Sequence, residues 1–333
     1  MNQDLTYHPL IDQFGRIHNY LRISLTERCN LRCFYCMPEE GITLREREQF
    51  MNQDEIFEIA RLFVQKGVTK IRLTGGEPTV KKDFREIIKR LSTLGVDLGI
   101  TTNGVMLDQF FEDLKYSNVK SINISLDTLQ KDRYYQITRR DYFERVISNI
   151  HMAIKLGFNV KVNVVVIRGV NDDEILNFVE FTRNIPITVR FIEYMPFDGN
   201  NWSLEKKVSF QEMIEKIHNG FPDDEINRVV GGGNDTDKKY KIAGYNGFFG
   251  VISSVTNPFC DTCNRIRLTA DGKLKNCLFS QEEVDLLTPL RLGFKIDELI
   301  YGHVKEKLKR HGGVNFFDVK NQNNNRSMVR IGG

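Results

Sequence analysis

Hydrophobic and polar positions alternate in six short runs between Tyr20 and Met195: Tyr20–Thr26, Lys70–Thr74, Leu98–Asn103, Ser121–Asp127, Asn159–Ile167 and Thr188–Met195. Successive side chains of a strand point to opposite faces, so alternation marks a strand with two unlike faces. Between the runs lie segments with helical spacing. Asp54–Lys66 sets Ile56, Ile59, Leu62 and Phe63 on one side, and Asp83–Leu94, Phe143–Leu156 and Asp173–Arg183 read alike. Strands alternating with helices predict βαβ units around a parallel sheet. Six such units predict an α/β fold of the open, partial (β/α)6 barrel kind.

The parity of the runs adds a second layer. Leu21, Ile23 and Leu25 oppose Tyr20, Arg22 and Ser24; Ile71 and Leu73 oppose Lys70, Arg72 and Thr74; Leu98 and Ile100 oppose Gly99 and Thr101. Ile122 and Ile124 likewise oppose Asn123 and Ser125, and Val160, Val162 and Val164 oppose Lys161 and Asn163. Parallel strands covered on both faces normally read as continuous apolar runs, and a closed eight-stranded barrel fills its interior with branched apolar side chains. Here each strand keeps a polar face, with cations in mid-strand at Arg22, Lys70, Arg72, Lys161 and, in less regular parity, Arg190. An antiparallel sheet could turn such faces to solvent. A parallel one covered by helices predicts a water-accessible lumen with a positive lining, suited to a polyphosphate.

Beyond Met195 the rhythm breaks. Pro196–Lys207 reads as a loop, Phe210–His218 as a helix, and Gly231-Gly232-Gly233-Asn234 as a linker or mobile loop. A boundary between about 220 and 245 divides the chain into residues 14–230 and 240–333. A helical stretch, Ile296–Lys309, precedes a polar run whose composition predicts a disordered tail. His151 and His303 read as helix residues without a role.

Composition changes this picture little. The 333 residues are 41% hydrophobic and 27% charged, and 47 basic against 44 acidic residues give a net charge of +3. That balance predicts no nucleic-acid or membrane partner. Met1–Gly15 lacks the apolar core of a signal peptide, which predicts a cytoplasmic chain whose thiols stay reduced. The six cysteines then matter: they form two trios, Cys29, Cys33 and Cys36, then Cys260, Cys263 and Cys277, with none left over. In a reducing compartment these read as metal sites rather than disulfides. A structural zinc or a cubane cluster usually takes four protein ligands. Three thiolates on a four-iron cluster leave one iron open to another ligand; half of a zinc site, or three buried thiols, is the alternative. Asp271-Gly272 predicts a two-residue hairpin turn in which 270 faces 273 and Cys277 faces Ile266. That fold-back returns Cys277 to Cys260 and Cys263, with Arg265 and Arg267 in one parity beside them.

Cys29-x3-Cys33-x2-Cys36 after the first strand, with Gly75-Gly76-Glu77-Pro78 after the second, resembles the radical S-adenosylmethionine superfamily. The stretches Leu21–Ser24, Thr26–Asn30, Tyr35–Pro38, Thr101–Gly104, Asn123–Asp127 and Arg190–Glu193 resemble its GTP 3′,8-cyclase branch. So do the second motif C-x2-C-x13-C, the run Asn264–Lys273 inside it, and the Gly-Gly end. The likeness runs from about residue 14 to the C-terminus. Met195–Gly199, the triple glycine and the Asn-rich run before the tail depart from the pattern, all in loops.

The resemblance implies that Cys29, Cys33 and Cys36 hold a [4Fe-4S] cluster that binds S-adenosylmethionine, contacted by Tyr35, Gly76, Ser125 and Met195. It implies a C-terminal extension in which Cys260, Cys263 and Cys277 hold a second [4Fe-4S] cluster facing the guanine. It gives Arg22, Arg72, Thr101, Lys161, Arg265, Ile266 and Arg267 to GTP, with Lys70 and Arg190 as supporting cations. Gly332 and Gly333 match a tail that enters the active site and is needed for catalysis. Glycines near Gly76 would let the backbone approach the cofactor's methionine part. The implied reaction abstracts the ribose 3′ hydrogen with a 5′-deoxyadenosyl radical, closes C3′ onto C8, and ends with reduction and proton transfer. Implied partners are a flavodoxin- or ferredoxin-type reductant and cyclic pyranopterin monophosphate synthase as the next enzyme, the chain being a monomer or homodimer. Two other readings remain at this point: another radical enzyme with an auxiliary cluster, and a non-catalytic electron carrier or zinc-stabilised module.

Overall fold

The computed structural model describes residues 8–37, 41–43, 45–316 and 325–332. Its strands are β1 (Tyr20–Ser24), β2 (Lys70–Thr74), β3 (Asp97–Thr102), β4 (Ser121–Ser125), β5 (Asn159–Val166), β6 (Thr188–Glu193), β7 (Ile226–Val229), β8 (Lys238–Ile242), β9 (Phe248–Ile252), β10 (Arg265–Leu268), β11 (Lys273–Lys275) and β12 (Val284–Asp285). The helices are α1 (Gln53–Gln65), α2 (Phe84–Ser92), α3 (Phe111–Tyr116), α4 (Lys131–Thr138), α5 (Phe143–Lys155), α6 (Ile175–Glu180), α7 (Phe210–Gly220), α8 (Leu287–Arg291), α9 (Asp297–Lys305) and α10 (Met328–Ile331). The six expected strands form within two residues of their predicted ends. α1 starts where the Asn52 side chain accepts from the Asp54 and Glu55 N–H groups while Glu55 reaches back, a capping box. α6 is shorter than its apolar pattern predicts: Glu174 is buried, taking the Thr128 hydroxyl (2.5 Å) and the Leu129 N–H (2.7 Å), and residues 172–174 form a 3-10 turn instead.

All twelve strands belong to one sheet, in the order β12-β11-β10-β1-β2-β3-β4-β5-β6-β9-β8-β7. β1 to β6 run parallel in sequence order, and β10 joins β1 and β9 joins β6, also in parallel. Eight parallel strands thus stand where six were expected, with an antiparallel strand pair at each end. A division at 230/240 falls inside the β7–β8 hairpin, so the sheet continues across it.

The apolar parity faces the helices. Leu21, Ile23, Ile71, Leu73, Leu98, Ile100, Ile122, Ile124, Val160, Val162 and Val164 are buried in one core with Ile59 and Phe63 of α1, Ile88 and Leu91 of α2, and Val146 and Ile150 of α5. The polar parity faces a single cavity of about 580 Å³, lined by residues from β1 to β6, β9 and β10. A sheet whose successive strands all touch one cavity is curled around it, so the polar faces line a lumen as predicted.

The C-terminal segment departs from its expected disorder. Val329 and Ile331 of α10 are buried, and Ile331 joins a second apolar cluster with Phe197, Val255, Phe279 and Phe316. Arg326 ties the segment to the β10–β11 hairpin through Asp271 (2.9 and 3.0 Å) and to Glu283 (2.5 Å). Polar composition concealed two apolar anchors and one bidentate arginine. Gly333 and most of the Asn-rich run lie outside the described residues.

Candidate active site

The first trio sits in the loop after β1. All three cysteines are half-buried and free. Cys29 Sγ accepts from the Leu31 N–H (3.4 Å) and lies 3.8 Å from Asn103 Nδ2, and the Val329 N–H of α10 donates to Cys36 Sγ. Burial and Glu77 push the Cys29 thiol up to about 11; burial, Cys29 and Asp127 push Cys36 up to about 12. These are dry thiols with N–H groups already aimed at sulfur, an environment that favours thiolates only when a positive metal centre is bound. Among the described residues no three His, Cys, Asp or Glu side chains stand close enough to hold a single metal ion. A four-iron cluster interposes its own atoms between the thiolates, so its ligands need not converge on one point.

Gly75 and Gly76 follow β2, and the packing around Gly76 adds its own reason for a glycine. A Cβ there would lie 2.4 Å from the Arg28 carbonyl oxygen and 2.7 Å from that of Glu27. The glycine lets the two loops pack together, with Gly76 N–H bonded to Thr26 O (2.7 Å) and Glu77 N–H to Arg28 O (2.8 Å). Glu77, fully buried, accepts from Thr79 Oγ1 (2.6 Å), Thr102 Oγ1 (2.7 Å) and the Asn103 N–H (2.6 Å), pinning the ends of β2 and β3 under the cysteine loop. Tyr35, Gly76, Ser125 and Met195 all line the lumen. Tyr35 donates to Asp127 Oδ2 (2.5 Å), whose carboxyl burial holds up at about 6. Met195 also packs against the second apolar cluster, so it serves core and lumen at once.

The second trio reaches the same lumen by a different register. β10 pairs with β11 as Arg267 with Lys275 and Leu268 with Leu274. The turn is therefore three residues long, not two: the Thr269 hydroxyl takes the Lys273 N–H (2.9 Å), and Gly272, at φ +71°, closes the turn onto Thr269 O (2.9 Å). Extending that register sets Cys277 across from Arg265 rather than Ile266, on the lumen side. Cys260 accepts the His311 N–H, and Cys263 accepts Lys307 Nζ at 3.4 Å. Burial raises the Cys263 thiol, but Lys307 and Arg265 outweigh it and hold the thiol below its usual range. Cys36, Cys260, Cys263 and Cys277 all line the one cavity.

Between the trios lie the cations. Arg267, Arg22 and Arg72 are neighbours in register on β10, β1 and β2. Like charges opposite one another destabilise a sheet, so the row signals an anionic ligand. Desolvation and the guanidiniums of Arg72 and Arg265 bring Arg22 down to about 10; desolvation and Arg22 bring Arg267 to about 9; desolvation and Arg190 bring Lys161 to about 8. Lys70, Arg190 and Thr101 share the lining, whereas Ile266 turns into the core and is fully buried. The tail enters here too: Arg267 Nη1 donates to Gly332 O (2.9 Å), and a Cβ on Gly332 would fall 2.7 Å from Ser24 Cβ.

Tyr20, Asn163 and Asp237 also line the lumen and were not assigned from sequence. Asn163 Oδ1 accepts from Arg190 Nε (3.0 Å) and Nη2 (2.6 Å). The parity of Tyr20 and Asn163 signals both. Asp237 sits on the loop from β7 to β8, where no periodicity points to it.

Comparison with known proteins agrees with this geometry. Residues 23–182 match the family model "Radical SAM superfamily" and residues 187–313 match "Molybdenum Cofactor Synthesis C". The chain is 51% identical to "GTP 3′,8-cyclase, mitochondrial" of Arabidopsis thaliana, over 97% of this chain and 83% of that protein. It is 41% identical to "GTP 3′,8-cyclase" of Listeria welshimeri, over 97% and 99%. "Molybdenum cofactor biosynthesis protein 1" of Homo sapiens is 47% identical over 97% of this chain, which spans about half (51%) of that relative's length. Among solved structures, Streptococcus suis SuiB bound to S-adenosylmethionine superposes with a TM-score of 0.61 at 15% identity, over 89% of this chain and 70% of that one, a likeness of fold. Two cysteine trios on one cation-lined lumen, family models over both halves and near-full-length relatives lead to one conclusion: the chain belongs to the GTP 3′,8-cyclase family of the radical S-adenosylmethionine superfamily.

Proposed function

We propose that the chain converts GTP to (8S)-3′,8-cyclo-7,8-dihydroguanosine 5′-triphosphate, the first step of molybdenum cofactor biosynthesis. The observation that carries this reading is the single lumen lined by Cys36, by the second trio and by the arginine row between them. Cys29, Cys33 and Cys36 would hold the [4Fe-4S] cluster of S-adenosylmethionine, which when bound would supply the electron for cleavage of that cosubstrate. Tyr35, Gly76, Ser125 and Met195 line its berth. Cys260, Cys263 and Cys277 hold the second cluster in a C-terminal extension of the fold and present it to the guanine. Arg22, Arg72, Thr101, Lys161, Arg265 and Arg267 bind the nucleotide, and Ile266 contributes backbone only. Gly332, whose carbonyl Arg267 holds, brings the tail into the lumen, and the catalytic role of the tail is given to Gly332 and Gly333. The reductant is a flavodoxin- or ferredoxin-type protein, and the product passes to cyclic pyranopterin monophosphate synthase. Six free cysteines favour a reducing compartment, the cytoplasm.

The test uses protein reconstituted anaerobically with iron and sulfide. Dithionite and S-adenosylmethionine are added, and 5′-deoxyadenosine is quantified with GTP, with ATP and with no nucleotide. A selective rise with GTP is expected; cleavage indifferent to GTP would move the substrate elsewhere in the superfamily. Cys29→Ser should abolish 5′-deoxyadenosine, and Cys277→Ser should chiefly impair GTP handling. Normal cyclisation by both variants would refute these roles.

A further inference from the structure

Arg72 does not project straight into the lumen. Its partner in register on β3 is Gly99, and the partner of Gly99 on β4 is Ser121. From β2 the side chain crosses β3 sideways: Nη1 donates to the Ile100 carbonyl (2.8 Å) and Nη2 to Ser121 Oγ on β4 (2.9 Å), while Nε donates back to the Tyr20 hydroxyl on β1 (2.7 Å). The crossing exists only because position 99 has no side chain. A Cβ there would lie 2.6 Å from Ser121 Oγ, 2.8 Å from Arg72 Nη2 and 3.0 Å from its Cζ. Three of the five guanidinium N–H groups are thereby committed to protein, and two remain.

Tyr20 anchors the other end. In register it lies between Lys70 of β2 and Arg265 of β10, two residues before Arg22 on the same strand. The Lys70 ammonium is 5.5 Å and the Arg265 guanidinium 5.7 Å from its ring. Desolvation would raise its phenol, but Arg72, Arg22 and Arg265 together bring it down to about 7. The hydroxyl is thus a strong acceptor within a group of cations.

We propose that Tyr20 and Gly99 are positioning residues of the nucleotide site: they lock the Arg72 guanidinium flat against the sheet, so that a nucleoside triphosphate meets a preorganised donor pair instead of a mobile side chain. This deepens the GTP reading and rests on it. A free arginine must surrender rotamer entropy on binding, and a locked one has already lost it. Neither residue is required to touch GTP.

The test is calorimetric binding to the anaerobically reconstituted holoenzyme, with GTP, ATP and guanosine as ligands. Gly99→Ala should weaken GTP at least about tenfold, the scale of one charge-assisted hydrogen bond, because the flexible guanidinium yields to the new methyl before the backbone does. Guanosine affinity and cluster absorbance should not change. Tyr20→Phe, which keeps the ring, should weaken GTP roughly threefold to tenfold. In an Arg72→Ala background Gly99→Ala should add nothing beyond about twofold, whereas a merely structural role for Gly99 would persist. If the wild-type protein prefers GTP over ATP and both single variants bind it unchanged, the positioning role is overturned and the functional reading stands. Equal loss of GTP and guanosine also overturns it. No preference for GTP in the wild type overturns both.

Discussion

Asp237 is an anion on the wall of a cationic lumen. It is buried, one carboxylate oxygen lies 4.0 Å from Arg190, and the other has no hydrogen-bond partner among the described residues. The loop that carries it also hands the Asn234 carbonyl to Arg265 (2.8 Å). In a dry site a carboxylate this close both masks Arg190 and repels incoming phosphate. Asp237→Asn should therefore lower the KM for GTP by about threefold to tenfold, and an unchanged KM would remove the repulsion argument. His18 makes a second prediction at this scale. It is fully buried against Asp12 (2.9 Å), and burial and Lys307 hold its imidazole down to about 4, against 6.5 when unfolded. The unfolded chain binds the extra proton between those values, so stability rises with pH there: the contribution is complete above 6.5 and lost as pH falls toward 4. It amounts to up to about 3 kcal/mol. Melting curves between pH 7.5 and 5 should fall less steeply for His18→Gln than for the wild type. Residues such as Arg22 and Arg72 were legible because a strand has a period of two and a cation in mid-strand breaks the apolar rule. Asp237 and His18 were not, because their roles come from neighbours distant in sequence, which no local pattern encodes.

Elements were legible wherever the buried face was continuous. α1 and α5, with long apolar stripes, match their predicted spans within a residue or so, whereas α6 lost a turn once Glu174 found partners outside it. β8 and β9 were missed for opposite reasons. Lys238–Ile242 is too polar to read as a strand, and Phe248–Ile252 carries a glycine in mid-run. The register of the β10–β11 hairpin turned on one hydroxyl, since Thr269 bonds Lys273 and lengthens the turn that Asp271-Gly272 alone would make. α10 is the element whose role can be tested directly. Arg326→Ala removes its link to Asp271 and Glu283, so amide exchange across 328–331 should accelerate and product formation should fall about tenfold, with GTP affinity changed far less. Slow exchange at Val329 in that variant would mean that Ile331 alone holds the helix. Gly332→Ala should act similarly, because φ +88° and the Ser24 contact leave no room for a side chain.

At the scale of the molecule, one sheet joins both halves of the chain. β1 begins the fold, yet its free edge is covered by β10; β6 is covered by β9. A chain ended at residue 245 keeps the first trio and six parallel strands but leaves two long edges unpaired, and it should aggregate rather than yield a working half-enzyme, as light scattering of the truncated protein would reveal. The same pairing sets a timetable for biogenesis. The strand that seals β1 is made only after β1 to β9, so until then the barrel stands ajar with its first cysteine loop accessible. Iron–sulfur delivery can reach that loop on the nascent chain, whereas the second trio is complete only once β10 and β11 have been made. Topology alone thus makes the two trios available at different times, and the edge of β1 waits longest for its partner.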